Sequence, residues 1–91
     1  MIKIIWTDYF KYRVSLRGFS LLNIEDILRY GTERYYDSVT GRLVVVGKDA
    51  HILIMIPHEI ESENTIIPIT VHATSRKQIT YRVKSGRFQN E

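Results

Sequence analysis

The chain has 91 residues, of which 44% are hydrophobic and 11% aromatic, and it contains no cysteine. This length allows one hydrophobic core and excludes a second, and the composition is that of a folded domain. The lack of cysteine excludes disulfides, thiolate nucleophiles and cysteine-ligated zinc. No apolar run approaches the roughly 18 residues that span a bilayer, so we expect a single cytoplasmic domain over residues 1–91 with no membrane partner.

The net charge of +3 is unevenly distributed along the chain. Residues 1–18 contain four basic side chains and one acidic, and residues 74–91 contain five and one. Residues 19–73 contain four basic and eight acidic side chains. If the fold brings the two basic ends together, they form a positive pole typical of a polyanion-binding protein; if it does not, they are two ordinary solvated faces.

The N-terminal third predicts one short strand and two helices. Residues 3–7 are rich in β-branched side chains and are typical of a strand. A helix over 9–17 follows, capped by Asp8 and ended by Gly18. We expect this helix to have a broad, aromatic buried side that includes Phe10, Val14, Tyr9, Tyr12 and Leu16.

The second helix has the clearest pattern in the chain. Ser20 is its N-cap and Gly31 ends it, and Glu25 lies four residues before Arg29 as a supporting ion pair. The apolar residues fall on one face: Leu21, Ile24, Ile27 and Leu28.

From residue 32 onward the pattern is that of strands. We predict strands over 32–37, 43–46, 51–57 and 66–73, with turns at 38–41 and 47–50 and an acidic hairpin tip at 59–64. The segment HILIMIP (51–57) is apolar on both faces and therefore central and covered. Pro68 cannot donate a backbone hydrogen bond, which indicates an edge or a bulge there.

The last predicted element is a basic helix. Ser75, Arg76, Lys77 and Gln78 fit the capping box S-x-x-Q, so the helix begins at Ser75, and Gly86 ends it. Its apolar stripe consists only of Ile79 and Val83, which leaves Lys77, Tyr81 and Lys84 on the outer side. The predicted order is β-α-α-β-β-β-β-α, an α+β domain with an antiparallel sheet of four to five strands, two N-terminal helices and one C-terminal helix.

The sequence offers no recognisable metal or cofactor motif. The three histidines do not have the spacing of a metal site, and neither a G-x-x-x-x-G-K-[ST] loop nor a G-x-G-x-x-G loop occurs. We therefore expect no metal and no cofactor. His51 and His58 are interpreted as surface imidazoles, and the acidic residues Glu59, Glu61 and Glu63 as a solvated edge.

His72 differs from the other two histidines because it lies three residues before the cap of the basic helix. We expect it to share a surface with Arg76 and Tyr81. An imidazole beside cations is suited to acid–base catalysis in phosphodiester cleavage, where the cations stabilise the charged transition state. The alternative is a histidine at a strand end that bonds a backbone carbonyl.

Three short segments carry a resemblance to a known group. The segment 16–20 with the following Ile24, Ile27 and Leu28 resembles a helix junction of small bacterial domains. The segments 41–47 (GRLVVVG) and 69–74 (ITVHAT), the latter followed by the basic helix, resemble their internal and closing strands. Together, over residues 6–87, the chain resembles the BrnT-like group of the RelE/ParE toxin superfamily.

The resemblance implies a compact RelE-like fold with a curved sheet. It also implies a toxin of a type II toxin–antitoxin system that cleaves RNA without metal and has a small antitoxin as its partner. By position, the family's closing-strand serine falls on His72, its arginine on Thr74 and its helix arginines near Arg76, Lys77 and Arg82. Tyr9 stands where many relatives have histidine.

We therefore interpret the chain as a toxin-like endoribonuclease. His72 would be the acid–base residue, Arg76 and Lys77 the phosphate stabilisers, and Tyr81 a stacking or proton-relay residue. The residues expected to bind the RNA backbone are Arg82, Lys84, Arg87, Lys11 and Arg13. Two alternatives stay open: a non-catalytic RNA- or protein-binding module, which Thr74 in place of the arginine favours, and a ParE-type inhibitor of a protein target.

Overall fold

A mixed sheet of seven strands carries helices on both faces in the computed structural model, which describes residues 1–91. The elements, in chain order, are β1 (Lys3–Ile4), α1 (Asp8–Arg17), α2 (Leu21–Tyr30), β2 (Glu33–Asp37), β3 (Arg42–Asp49), β4 (Ile52–Ser62), β5 (Thr65–Pro68), β6 (His72–Thr74), α3 (Arg76–Lys84) and β7 (Phe88–Asn90). The α+β class is as the sequence predicts. None of the three helices has the length and apolar character needed to cross a membrane.

The strand order is β1-β5-β4-β3-β2-β7, and β6 also pairs with β4. All pairs are antiparallel except β1–β5, which is parallel. Strand β4 is long enough to hold β5 opposite its C-terminal half, where His58 pairs with Pro68, and β6 opposite its N-terminal half, where Met55 pairs with His72. The single predicted strand 66–73 is thus two strands end to end.

The sheet separates two apolar clusters. On one face, α1 and α2 cover the larger cluster, which consists of Ile4, Phe10, Val14, Ile24, Ile27, Leu28, Val45, Ile54, Ile56, Ile66 and Val71. On the other face, α3 and β7 cover Val44, Val46, Ile79 and Phe88, with Tyr35, Leu53 and Met55 beside them. Because side chains alternate along a strand, the covered runs in β3 and β4 supply both clusters, as their two-sided apolar pattern predicts.

Side-chain caps begin all three helices. Thr7, Ser20 and Ser75 each accept a hydrogen bond from the backbone N–H three residues later, at 3.1, 3.2 and 3.2 Å. The caps at Ser20 and Ser75 are confirmed, whereas α1 is capped by Thr7 and not by Asp8, which is its first residue.

Helix α2 approaches β3 closely at Gly47. A Cβ atom at this position would lie 2.7 Å from the Ile27 side chain, so only glycine lets the helix pack at this depth. The Glu25–Arg29 ion pair on the outer side of α2 is confirmed, with Nε and Oε2 2.9 Å apart.

Only Glu63 and Asn64 of the acidic segment 59–64 form the tip of the β4–β5 hairpin. Residues 59–62 continue β4, a bulge between Ile60 and Ser62 shifts the register, and the turn falls after Ser62. His58 therefore lies inside a strand and not at its end. His58 lies on the same face of β4 as Ile54 and Ile56 and is only 1% exposed. Its Nδ1 lies 2.9 Å from the Ile56 carbonyl oxygen. The surface position predicted for His58 is therefore wrong.

The outer face of α1 is also different from the prediction. Only Phe10 and Val14 of this helix are buried, whereas Tyr9, Tyr12 and Leu16 are about 60% exposed. Helix α1 contacts the sheet through one i, i+4 pair and therefore buries only a narrow stripe. The prediction was too broad because it assigned the other aromatic side chains of the helix to the core.

The sequence predicts a helix as the last element, but a further strand, β7, follows α3. Gly86, at a φ of +84°, reverses the chain direction, and β7 then pairs with β2. Arg87 holds β7 beside β2, because its Nε and Nη2 donate to the two carboxylate oxygens of Asp37, each at 3.0 Å. Asp37 is 4% exposed and also accepts from the backbone N–H of Val39 and Thr40.

Burial by itself raises the pKa of Asp37, but the hydrogen bonds from Arg87, Val39 and Thr40 outweigh it and hold the pKa below its ordinary value. The ion pair between Asp37 and Arg87 thus joins β2, the turn after it and β7. Arg87, predicted to bind RNA, has this structural role.

We expect Arg87→Ala to lower the free energy of unfolding by about 2–3 kcal/mol, because it leaves a buried carboxylate without its charged partner. Urea denaturation followed by circular dichroism measures the change. Arg42→Ala is the matched control, since Arg42 pairs with the exposed Glu59 at 3.4 Å, and a loss below about 1 kcal/mol is expected there. Equal losses in the two variants would contradict this role of Arg87.

Candidate functional site

His72 lies at an exposed edge of the sheet, between the helices of the two faces. Its strand, β6, has β4 on one side only, and pairing with Met55 directs His72 to the α3 face. Its neighbour Val71 is fully buried in the apolar cluster of the other face. His72 is therefore fixed by backbone pairing and by burial of the adjacent residue, while its own ring stays partly accessible.

The surroundings of His72 disfavour its charged form. Partial burial is the main cause that lowers the pKa of the imidazole, and the positive charges of Arg13, Arg17 and Arg82 lower it further. These effects favour the neutral imidazole, the form that has a free nitrogen lone pair as a general base requires.

Three arginines from two helices thus act on one histidine. Arg13 and Arg17 are four residues apart on α1, and Arg82 lies on α3, so cations of the basic N-terminal and C-terminal segments come within electrostatic range of the same imidazole. We call His72, Arg13, Arg17 and Arg82 the His72 cluster.

None of these three arginines has an acidic partner. The protein contains five ion pairs, and they involve other cations: Lys11, Arg29, Arg42, Arg76 and Arg87. Arg82 donates to the Met55 sulfur at 3.4 Å and lies over the Phe88 ring, 5.6 Å from its centroid. The Nε of Arg13 is buried and makes no hydrogen bond.

Such a cluster has an unsatisfied preference for negative charge. Arg13 and Arg82 are partly buried, whereas Arg17 is exposed. Partly buried cations ordinarily pair with a carboxylate, because desolvation without a counter-charge is costly. A phosphate group supplies both the charge and the acceptor oxygens that guanidinium groups bind in a planar, two-pronged geometry. The His72 cluster can therefore hold an anionic oxygen group next to a neutral imidazole.

Arg76 is placed differently from the sequence expectation, since it is not among the cations that act on His72. It donates to both carboxylate oxygens of Glu33, at 2.6 and 3.0 Å, and Tyr35 donates to the same carboxylate at 2.7 Å. These bonds, with that from Arg76 as the largest cause, lower the pKa of Glu33. The ion pair ties α3 to β2 and neutralises Arg76.

The other predicted binding residues lie around α3 and on the outer face of α1. Lys77, Tyr81 and Lys84 are exposed on α3 and form no ion pair, whereas Lys11 on α1 pairs with Asp8 at 3.7 Å. A groove of about 410 Å³ runs along α3, lined by Lys77, Gln78, Tyr81, Arg82, Ser85 and Arg87. Arg82 belongs to this groove and to the His72 cluster, so the two are adjacent.

No group of three or more histidine, aspartate or glutamate side chains is arranged to hold a metal ion. His51 is exposed at the turn between β3 and β4, in agreement with the prediction for it. Larger open space lies between β3, β4 and Ile67 and is lined by Arg42, Glu59 and Glu61, so its charge is mixed. His58 also lines this space but is almost completely buried.

Arg17 is the member of the cluster that sequence reasoning did not assign. The sequence does contain a pattern that indicates a basic helix face. Arg13 and Arg17 are spaced i, i+4 on a helix that has a single acidic residue. What the sequence did not reveal is that this face of α1 lies beside β6, which depends on the pairing of β6 with β4.

No protein-family model matches the chain, and neither the curated proteins nor the solved structures yield a match. The resemblance to the RelE/ParE superfamily therefore stays a prediction.

We expect the pKa of His72, followed by proton NMR from pH 4 to 8, to lie below 6.5. It should rise in Arg17→Met, because removal of a nearby cation favours the imidazolium. Arg42→Met is the control and should leave it unchanged, and His72→Gln assigns the resonance. A wild-type His72 that titrates at or above 6.5 would contradict the described electrostatics.

Proposed function

We propose that the protein is an RNA-cleaving domain of the toxin type, an endoribonuclease in which the 2′-hydroxyl of the substrate is the nucleophile. The observation that carries the proposal is the His72 cluster, a neutral imidazole among three arginines without acidic partners. The resemblance to the RelE/ParE superfamily supports the same reaction class.

The cluster supplies what this reaction needs. His72 takes the proton from the 2′-hydroxyl, the 2′ oxygen bonds to phosphorus, and the bond from phosphorus to the 5′ oxygen breaks. The leaving oxygen takes a proton from water. The extra negative charge of the transition state develops on the phosphoryl oxygens, where the guanidinium groups of Arg13, Arg17 and Arg82 stabilise it. The products are a 2′,3′-cyclic phosphate and a 5′-hydroxyl end.

We therefore assign the stabilisation of the phosphate to the three arginines of the cluster, and not to Arg76 and Lys77 as the sequence suggested. Arg76 is neutralised by Glu33, and Lys77 lies on the groove side of α3. Lys77, Lys84 and Tyr81 are proposed to hold the RNA strand beyond the cleaved bond. Lys11 contributes less, since it pairs with Asp8 on the exposed side of α1.

A small antitoxin protein is the partner that the toxin assignment implies. Its proposed binding surface is the basic surface that joins α1 and α3, because covering the arginines would block access to His72. The three aromatic and apolar side chains on the outer face of α1 (Tyr9, Tyr12 and Leu16) give that surface apolar contacts as well.

A second candidate function is RNA binding without cleavage. It is favoured by Thr74, which stands at the position of the family's arginine and donates its hydroxyl to Gln78 at 3.0 Å. In this alternative the arginines bind phosphate and His72 has no chemical role.

We expect purified protein to cleave single-stranded RNA in the presence of EDTA and to leave 2′,3′-cyclic phosphate ends. His72→Ala should reduce the rate by about 10²–10⁴-fold, because general base catalysis contributes factors of this size. His51→Ala is the matched control, since His51 is exposed in a turn, and its rate should equal that of the wild type. Gel electrophoresis of end-labelled RNA measures both.

Binding of RNA by the wild type without any cleavage product would select the second candidate and reject the enzyme. That binding should weaken steeply with salt, as phosphate contacts do, and more in the wild type than in a variant that lacks Arg13 and Arg17. Absence of both binding and cleavage would reject both functions.

A further inference from the structure

The groove along α3 is formed by one stripe of the helix. Gln78, Tyr81, Arg82 and Ser85 follow each other at i, i+3, i+4 and i+7 on this stripe. Arg82 also belongs to the His72 cluster. An RNA strand whose phosphate lies at the cluster can therefore place a neighbouring nucleotide at the groove, whose volume of about 410 Å³ admits one base.

Tyr81 gives this groove a flat surface. Its side chain is 72% exposed, and its ring does not pack against another aromatic ring, whereas Tyr35 stacks on Phe88 with centroids 5.4 Å apart. Bases inside a duplex are already stacked on their neighbours, so only an unpaired base has a face free for a protein ring. The ring of Tyr81 is therefore suited to an unpaired base and not to a paired one.

The charges of the groove suit the phosphates on either side of such a base. Lys77 and Arg82 form no ion pair, and no carboxylate lines the groove. The third cation, Arg87, is held by Asp37. A phosphate next to the stacked base thus meets two cations that have no acidic partner.

The hydrogen-bonding groups of the groove do not select one base. Gln78 Oε1 accepts from the Thr74 hydroxyl at 3.0 Å and retains a second lone pair, and the amide N–H bonds have no partner in the protein. The Ser85 hydroxyl donates to the Arg82 carbonyl at 3.2 Å and can still accept. Because donors and acceptors are both present, stacking, which every base allows, is the main contact.

We propose that the α3 groove binds one unpaired nucleotide of any base, so that the protein selects RNA by its pairing state and not by its sequence. The substrate class is RNA with loops, bulges or single strands, and Tyr81 is the residue that distinguishes these from a duplex. The proposal rests on the RNA-binding function proposed above and adds this substrate class to it.

The test compares a fully paired 2′-O-methyl RNA duplex with the same duplex carrying one bulged nucleotide, by fluorescence anisotropy. The methyl groups prevent cleavage, and the two probes differ in charge by one phosphate only. The wild type should bind the bulged duplex about tenfold more tightly, as stacking of one base on an aromatic side chain allows. The gain should agree within about threefold for bulged uridine, cytidine, adenine and guanine, since each base has a face that stacks.

Variants separate stacking from phosphate binding. Tyr81→Ala should remove the gain for the bulge and leave the affinity for the paired duplex unchanged, whereas Tyr81→Phe keeps the ring and should retain the gain. Tyr30→Ala is the matched control and should behave as the wild type, because Tyr30 is 75% exposed on α2, outside the groove. Lys77→Met should weaken binding of both duplexes by a similar factor, because it removes a phosphate contact. Circular dichroism of each variant checks that it is folded.

Equal binding of the paired and bulged duplexes by the wild type would overturn the inference, and so would a gain that Tyr81→Ala keeps. A gain confined to one of the four bases would overturn it as well. Each of these outcomes leaves the proposed RNA-binding function intact. If neither the duplexes nor a single-stranded 2′-O-methyl RNA binds, the proposed function fails together with the inference.

Discussion

Backbone pairing between β6 and β4 is the constraint on which the candidate site depends. It involves only three residue pairs, Leu53 with Thr74, Ile54 with Ala73 and Met55 with His72. Because successive residues of a strand face opposite sides, this register directs His72 toward α3 while Val71, just before the strand, enters the core under α1. A shift by one residue would turn the imidazole into the apolar cluster and expose Val71. The same register places His72 within electrostatic range of arginines from both helices.

The protein separates two kinds of cation. Arg76 and Arg87 have carboxylate partners and hold α3 and β7 against β2. Arg13, Arg17 and Arg82 have none, and they lower the pKa of the histidine between them. Like charges held together without counter-ions reduce stability, so this arrangement lowers the stability of the fold. Shielding of these charges by a polyanion would stabilise the folded protein, as any ligand of the native state does.

Much of the fold was predictable from sequence because local signals determine it. The caps at Ser20 and Ser75, the apolar face of α2 and the central position of β4 follow from spacing and from the chemistry of single residues. The predictions failed where a long-range contact overrides the local pattern. Polar residues at 59–62 belong to a strand because β5 pairs with them, and His58 is buried because β4 continues past it. The three residues of β7 have no hydrophobic pattern that predicts a strand. They form one because they pair with β2 and because Arg87 makes an ion pair with Asp37.

The candidate site was predictable only in part. His72 and the basic character of both chain ends are visible in the sequence, but which cations meet the histidine is decided by tertiary structure. Arg76 is closest in sequence and is neutralised by Glu33, which is 43 residues away along the chain. Arg17 is far in sequence and acts directly on His72. Sequence proximity therefore suggested the wrong neighbour for the imidazole.

The central claim is that the three arginines around His72 form a binding site for a phosphodiester. The most direct measurement is an NMR titration of arginine Nε–H and histidine ring resonances with a dinucleoside monophosphate that lacks the attacking 2′-hydroxyl. The account predicts that the Nε–H of Arg13 and the ring of His72 shift together with one saturation curve. It also predicts that the pKa of His72 rises on binding, because the phosphate offsets the surrounding positive charge. Shifts confined to Lys11, Lys77 and Lys84, with His72 and Arg13 unchanged, would contradict it.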